Sequence, residues 1–433
     1  MSWVFWIIAW VIACVIAAIA YGFLAPLKVH FTTRLPLAEK GDWIGPAQDA
    51  PFIGLALSGS GARAPIFAAA GIEALQRRGL LSGVTHVSSV SGGGFAASYL
   101  ALHPVPADAT DTYFNKMRHV LSHGYFWDTQ MGQLRNPSRL FSPSRRFQSL
   151  QEALDRPDFL RNTTSTDLPT DRRFCFNTVS YDSGHRFVFS NTVLPRIDDM
   201  DVSDLPISLR SLSFTDTAGH LKTPGSVPVS LAVATSAAFP PYLGPMTIEV
   251  KDHQELELQY WHLGDGGVLE NQGVETLREA VYAQKPRAPA IIYSFDAGQE
   301  LNRDLSRNTL DISVWSRNMT RLVDALSVCA APKRNTHYAA VDARTGTQID
   351  LMTFNYMDVV RLARSENPPD PKWLSWSERR CDNAKDRLES RSPADHLAKI
   401  PTALKITRCH RELISEAAHF LVNQRFPLWT VPS

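Results

Sequence analysis

Three patterns of apolar positions divide the chain, and each predicts a different kind of element. Trp3 to Leu24 runs 22 residues without a charged side chain. As a helix rising about 1.5 Å per residue it measures about 33 Å, enough for the roughly 30 Å hydrocarbon core of a bilayer. The expectation is an N-terminal transmembrane helix over residues 1–24 and a single-pass protein. Residues 25–50, broken by Pro26, Pro36, Gly41, Gly45 and Pro46, predict a juxtamembrane linker. A cleaved signal peptide needs a positive n-region, and only the α-amino group precedes this run. Ala18-Ile19-Ala20 still resembles a cleavage site and Val11 to Cys14 a lipidation box, so processing stays open as the alternative. Lys28, Arg34 and Lys40 outnumber Glu39 and Asp42, which by the positive-inside rule puts the body on the cytoplasmic side.

From Pro51 onward, short apolar runs alternate with helical periods. Residues 52–57 predict a buried strand that ends in Ser58-Gly59-Ser60-Gly61, and a helix follows from Pro65 to Arg78, stopped by Gly79. Residues 84–90 predict a second strand and 95–102 a second helix, with Ser91-Gly92-Gly93-Gly94 as the bend between them. This alternation implies an α/β fold with a mainly parallel sheet between helices. Residues 174–179 and 185–190 alternate as the arms of a hairpin turned at Tyr181-Asp182-Ser183-Gly184, 255–263 and 290–295 predict strands, and 401–422 carry a helical period.

The third pattern is polar, charged and proline-bearing, near 103–170 and again at 362–395. Both stretches are expected as insertions in one catalytic domain over 51–433. The second holds Trp373 and Trp376 among Arg379, Arg380, Lys385 and Arg387, a pattern of a solvated loop or of an interfacial contact.

Composition narrows the chemistry. A formal charge of +1 over 433 residues gives no basic footprint for nucleic acid. No Cys or His cluster has zinc-ligand spacing, and there is no GxxxxGK[ST] or EF-hand loop, so no metal and no cofactor is expected. Cys175, Cys329, Cys381 and Cys409 are scattered; an oxidising compartment would permit disulfides among them.

Ser91 lies in Ser89-Val90-Ser91-Gly92-Gly93, a GxSxG pattern with serine at the first glycine. A nucleophile elbow bends sharply from strand to helix and needs small neighbours because the two backbones pass closely. Gly59, Ser60 and Gly61 end the preceding strand, where converging amides, with that of Gly92, would form an oxyanion hole. Gly59-x-Gly61-x-x-Ala64 also fits a dinucleotide loop, but the next strand ends in serines where a ribose-binding acid is required. Asp265, in Gly264-Asp265-Gly266-Gly267, can approach Ser91 between glycines and take its proton. His262 suggests a triad instead; its odd offset on a strand points it away from Asp265.

The ordered set Gly59-Ser60-Gly61-x-Arg63, Ser89-x-Ser91-x-Gly93 and Asp265-Gly266-Gly267 resembles the patatin-like phospholipase family, as do Leu231 to Pro241 and the stretch 176–190. The resemblance covers roughly residues 51–300. It implies a three-layer α/β/α fold and a cofactor-free Ser91–Asp265 dyad hydrolysing acyl esters of phospholipids or lysophospholipids at a bilayer. It further implies that Arg63 shapes the oxyanion loop or faces a lipid phosphate; an Arg63 satisfied inside the protein is the alternative. Ser60, Ala64 and Ser89 depart from the family's glycines. A transacylase and a noncatalytic lipid-binding scaffold remain alternative outcomes of the same fold.

Overall fold

The computed structural model describes residues 2–24, 29–33, 51–106, 111–136, 143–191, 227–240, 242–251, 258–298, 335–365 and 406–427, with short pieces at 139, 207–208, 212–214, 396–398 and 400. Its strands are β1 (Val29–Thr33), β2 (Ile53–Leu57), β3 (His86–Val90), β4 (Arg173–Ser180), β5 (Arg186–Ser190), β6 (Ile207–Ser208), β7 (Leu212–Phe214), β8 (Met246–Lys251), β9 (Leu258–Asp265), β10 (Ala290–Asp296) and β11 (Ile349–Asn355).

Side chains of β2 and of Phe52 just before it alternate between two apolar clusters. Leu55 and Leu57 join the large cluster with Phe67 and Phe95, whereas Phe52 and Ala56 join a smaller one with Leu277 and Val281. β10 splits the same way, with Tyr293 and Phe295 on one side and Ala290 and Ile292 on the other. Strands buried on both faces read as continuous apolar runs, which is why these segments lack a polar period. The helices Arg63–Gln76, Gly93–Leu102, Val229–Ser236 and Arg408–Arg425 cover the first face, and Val274–Gln284 covers the second. Three layers result.

The strand order is β11-β10-β2-β3-β4-β9-β8-β1-β7, with β5 and β6 branching from β4. β11, β10, β2, β3 and β4 run parallel to one another; β9 is antiparallel to both β4 and β8. The sheet is therefore mixed and mostly parallel. One edge of β4 serves two strands in succession. Val90, the last residue of β3, pairs with Asn177, and Asp265, the last residue of β9, pairs with Thr178. The tips of two oppositely directed strands thus meet on adjacent β4 residues.

Between 103 and 170 the structure differs from a polar insertion. The helices Asp111–Leu121 and Pro143–Leu154 bury Phe114, Met117, Leu121, Phe147, Leu150 and Leu154 in the main cluster. Each presents one apolar stripe within a polar sequence, so the average polarity of the segment concealed its contribution to the core. Trp373, Trp376 and nearly all of 362–395 lie outside the described residues, as do most of the linker and the charges used for sidedness.

Ser2–Leu24 is helical, with Trp3, Trp6 and Trp10 each about 70% exposed. Among the described residues no helix is long and apolar enough to cross a membrane, so the transmembrane expectation is not shown there. Cys14 and Cys175 are free thiols, and Cys409 is in a disulfide whose partner lies outside the described residues.

Gly71 sets how closely the helix Arg63–Gln76 approaches β10. A Cβ added there would meet the Phe295 ring at 2.2 Å, and that ring is hemmed in by Phe67 and Phe354. In an exposed helix Gly→Ala gains about 1 kcal/mol; here the overlap costs about 1–3 kcal/mol. Gly71→Ala is expected to lower the urea midpoint, and an unchanged or raised midpoint would contradict this packing.

Candidate active site

The meeting of strand tips on β4 brings residues 174 positions apart into contact. Ser91 Oγ donates to Asp265 Oδ2 at 2.7 Å, in a site where Ser91 is 8% and Asp265 3% exposed. Ser91 sits at φ 50°, a left-handed conformation that a non-glycine residue adopts only when its surroundings hold it there. The holding groups are visible. Ser91 N–H donates to Ser236 Oγ at 2.9 Å, and Ser236 Oγ donates to the Asn177 carbonyl at 2.6 Å. Asn177 also spends its side chain here: Nδ2 donates to Ser88 Oγ and to the Ser89 carbonyl, and Oδ1 accepts from Thr276 Oγ1.

The glycines permit close approach. A Cβ at Gly92 would lie 2.3 Å from the Gly61 carbonyl, and one at Gly93 2.4 Å from that of Leu57. The bend after β3 therefore rests directly on the loop after β2. Ser89 fits the first elbow position because its hydroxyl donates to the Cys175 carbonyl at 3.1 Å. A Cβ at Gly266 would meet the Asn177 carbonyl at 2.5 Å, so the loop after Asp265 is pressed onto β4 as well.

Asp265 is held from both sides. Its Oδ1 accepts from Gly267 N–H at 2.8 Å and its own N–H donates to the Ala238 carbonyl at 3.2 Å. Burial raises its pKa from 3.8 to about 6, and the Gly267 and Ser91 hydrogen bonds limit the rise. No cation is among the groups that shift it. A carboxylate that titrates near neutrality beside a serine hydroxyl can take that proton and return it. Tyr181, with a phenol pKa raised by burial and then by Asp265, packs over Gly264, where a Cβ would strike its hydroxyl at 2.1 Å.

The four residues expected to donate to an oxyanion are together, but their amides differ. Gly59 N–H is spent on the Asn271 carbonyl at 2.9 Å, which corrects its assignment as a donor. Gly59 instead gives space: a Cβ would lie 2.3 Å from Asn271 Oδ1 and 3.2 Å from Ser91 Cβ. The amides of Ser60, Gly61 and Gly92 make no such bond among the described residues. Ser60 takes φ 135° and Gly61 φ 58°, so Ser60 occupies a glycine conformation.

Arg63 is turned inward. It is 1% exposed, donates through Nη1 to the Ile400 carbonyl at 2.6 Å, and lies 5.4 Å from the Tyr356 ring centroid. The expectation that it faces a lipid phosphate is corrected, because its charge is committed to the interior at the base of the oxyanion loop. His262 pairs with Asp182 at 2.9 Å, away from the dyad. His86 is buried and stacked on Phe52 with centroids 4.3 Å apart.

A family model described as patatin-like phospholipase matches residues 55–278, which is 224 of 433 positions. The chain belongs to the patatin-like phospholipase family. Among solved structures it is similar to human GIVD cytosolic phospholipase A2 in complex with methyl γ-linolenyl fluorophosphonate, at 12% identity and TM-score 0.46, over 94% of this chain and 60% of that one. It is also similar to VipD from Legionella pneumophila, at 14% identity and TM-score 0.26, over 58% of this chain and 51% of that one. The patatin-like chain thus spans about 60% of the length of the human phospholipase. No curated protein matches it.

Ser236 and Asn177 were missed as site residues. They lie in the two segments that carry secondary family resemblance, and only the packing of the helix Val229–Ser236 against β4 reveals what they hold. Ser236→Ala would leave the Ser91 N–H and the Asn177 carbonyl buried without their partner. The expected loss is about 1–3 kcal/mol, read as a lowered urea midpoint; an unaltered midpoint would mean these groups find other partners. Ser60→Gly is expected to act oppositely, stabilising by about 1 kcal/mol as the strain at φ 135° is removed. A fall in melting temperature would show that the serine side chain contributes more than its strain costs.

Proposed function

We propose that this chain is a serine phospholipase or lysophospholipase that works through an acyl-Ser91 intermediate with Asp265 as general base. The observation that carries the reading is the 2.7 Å hydrogen bond from Ser91 Oγ to a buried carboxylate whose pKa is lifted to about 6.

Asp265 Oδ2 takes the Ser91 proton as Oγ attacks the acyl carbonyl. The amides of Ser60, Gly61 and Gly92 receive the negative charge on the carbonyl oxygen, and each such donor is typically worth about 2.7–4 kcal/mol of barrier lowering. As the bond from the acyl carbon to the lipid alcohol breaks, Asp265 returns the proton to the leaving oxygen. Water then attacks the acyl-Ser91 ester, again deprotonated by Asp265, and fatty acid leaves as Ser91 regains its proton. Family membership and the absence of any cation on Asp265 among the described residues support a base set mainly by burial. Residues 51–433 are the proposed catalytic unit, and the exposed apolar helix Ser2–Leu24 supports membrane association.

One observation favours a second reading, a lipid-binding protein without turnover: Ser60 strains the loop that would hold the oxyanion. Fatty-acid release from phospholipid and lysophospholipid vesicles separates the two. Ser91→Ala and Asp265→Asn are expected to abolish release while remaining folded. Wild type that releases nothing from either lipid, with Ser91→Ala indistinguishable from it, would leave the scaffold reading. An added alcohol that captures the acyl group in place of water would instead mark a transacylase.

Two pH effects follow from the raised carboxylate. The base must be ionised, so kcat/KM is expected to rise with pH through an apparent pKa of about 6. An acid limb lying at 4 would contradict a buried base. For stability, the folded-state pKa lies above the unfolded value of 3.8, so folding is favoured below pH 3.8 and this contribution is lost as pH rises through 6. Asp265→Asn removes the buried charge. It should match wild type near pH 4 and exceed it by the order of 2–3 kcal/mol at pH 8, a gap that calorimetry at both values would measure.

A further inference from the structure

The helix Tyr125–Arg135 is packed with its polarity reversed. Trp127, Met131 and Leu134 are exposed at 58%, 42% and 60%. At about 100° per residue they share an arc of about 60° on one side. The opposite side holds Tyr125, Thr129 and Gln133, each at most 5% exposed. The helix thus buries a hydroxyl and a carboxamide while presenting tryptophan, methionine and leucine outward. The Thr129 hydroxyl has no hydrogen-bond partner among the described residues, and enclosing such a group costs about 1–3 kcal/mol. Water on the outer side would favour the reverse orientation.

What the buried side faces is also unlike a soluble helix pair. Gly132 lies against Ser149 of the helix Pro143–Leu154, where an added Cβ would sit 3.2 Å from the Ser149 Cβ. Small and polar residues at the contact, with large apolar ones outward, is the arrangement of helices packed in lipid. Eleven residues span only about 16 Å, too short to cross a bilayer. The helix can only lie along an interface. Its surroundings carry charge for one: Arg135 stands exposed at the end of the helix, whereas Arg139 is paired with Glu152 and its side chain is only 12% exposed. Tyr125 packs edge-to-face on Phe95, four residues beyond Ser91, which fixes the start of this helix against the one that follows the elbow.

We infer that the helix Tyr125–Arg135 seats the protein on an anionic lipid surface, with Trp127, Met131 and Leu134 entering the headgroup region and Arg135 meeting lipid phosphates. The stripe supplies apolar contact and Arg135 supplies attraction, the two contributions that bind interfacial helices. This holds whether or not Ser91 turns over, and its test reads binding first.

Full-length wild type and the triple variant W127S/M131S/L134S are sedimented with phosphatidylcholine vesicles containing about one-fifth phosphatidylserine. Amide hydrogen exchange over 125–135 is followed with and without vesicles. The expected result is at least tenfold weaker binding by the variant, weaker wild-type binding to phosphatidylcholine alone, and vesicle-induced protection of 125–135 in wild type. Equal binding of both proteins with no protection there would overturn the inference and assign attachment elsewhere in the chain. A wild-type dimer that the triple variant splits, with no vesicle-induced protection, would overturn it in favour of a second copy covering the stripe. Hydrolysis of a soluble short-chain ester is measured alongside and is expected to be equal in both. Loss of that activity in wild type would defeat the proposed function and leave the binding result standing by itself.

Discussion

One edge of β4 governs the site. Asn177 and Thr178 are consecutive, and they pair with the ends of two strands that arrive from opposite directions. A shift of one residue in either register would displace its strand by about 3.3 Å and turn its side chains to the other face. The 2.7 Å contact between Ser91 and Asp265 would then be lost. Asn177 reinforces the register from within, since its carbonyl holds Ser236 and its carboxamide ties Ser88 and Ser89 to Thr276. Backbone pairing and side-chain bonding therefore converge on one residue.

Around that hub the structure accepts local cost. Ser91 and Ser60 hold positive φ values without being glycines, and Asp265 lies buried with no cation beside it among the described residues. Each feature is unfavourable alone and persists because rigid neighbours leave no alternative. A basic partner beside Asp265 would stabilise its charge and lower its pKa, making it a weaker base. Burial with only Gly267 N–H and the serine hydroxyl as donors keeps the carboxylate near the pH at which proton transfer in both directions is efficient.

The rest of the molecule makes those conditions possible. Layers on both sides of the sheet exclude water from Asp265, and the buried Arg186, paired with Glu275 at 3.1 Å, fastens β5 to the helix that follows the Asp265 loop. Arg63 performs a similar task at the other loop, joining the start of the helix Arg63–Gln76 to Ile400. The helix Tyr125–Arg135 contrasts with this economy of buried charge, because its apolar residues face outward while polar ones are enclosed. Its orientation makes physical sense against lipid and poor sense against water.

The α/β class, the strands β2, β3, β4, β5 and β10, and the loops bearing Ser91 and Asp265 were legible in the sequence. Apolar runs and glycine-rich bends are local signals: a strand buried on both faces needs consecutive apolar residues, and a close backbone approach needs glycine wherever it occurs. β11 and the core-forming helices of 103–170 were not legible, because one apolar stripe in a polar segment gains meaning only from what it packs against. The same limit applies to function. Sequence order named Ser91, Asp265 and the glycine loop, but it did not show that Gly59 N–H is committed to Asn271, that Arg63 faces inward, or that Ser236 and Asn177 hold the serine. Those facts depend on contacts across 59 to 337 residues. Such contacts follow from sheet register and layer packing, which the tertiary structure alone decides.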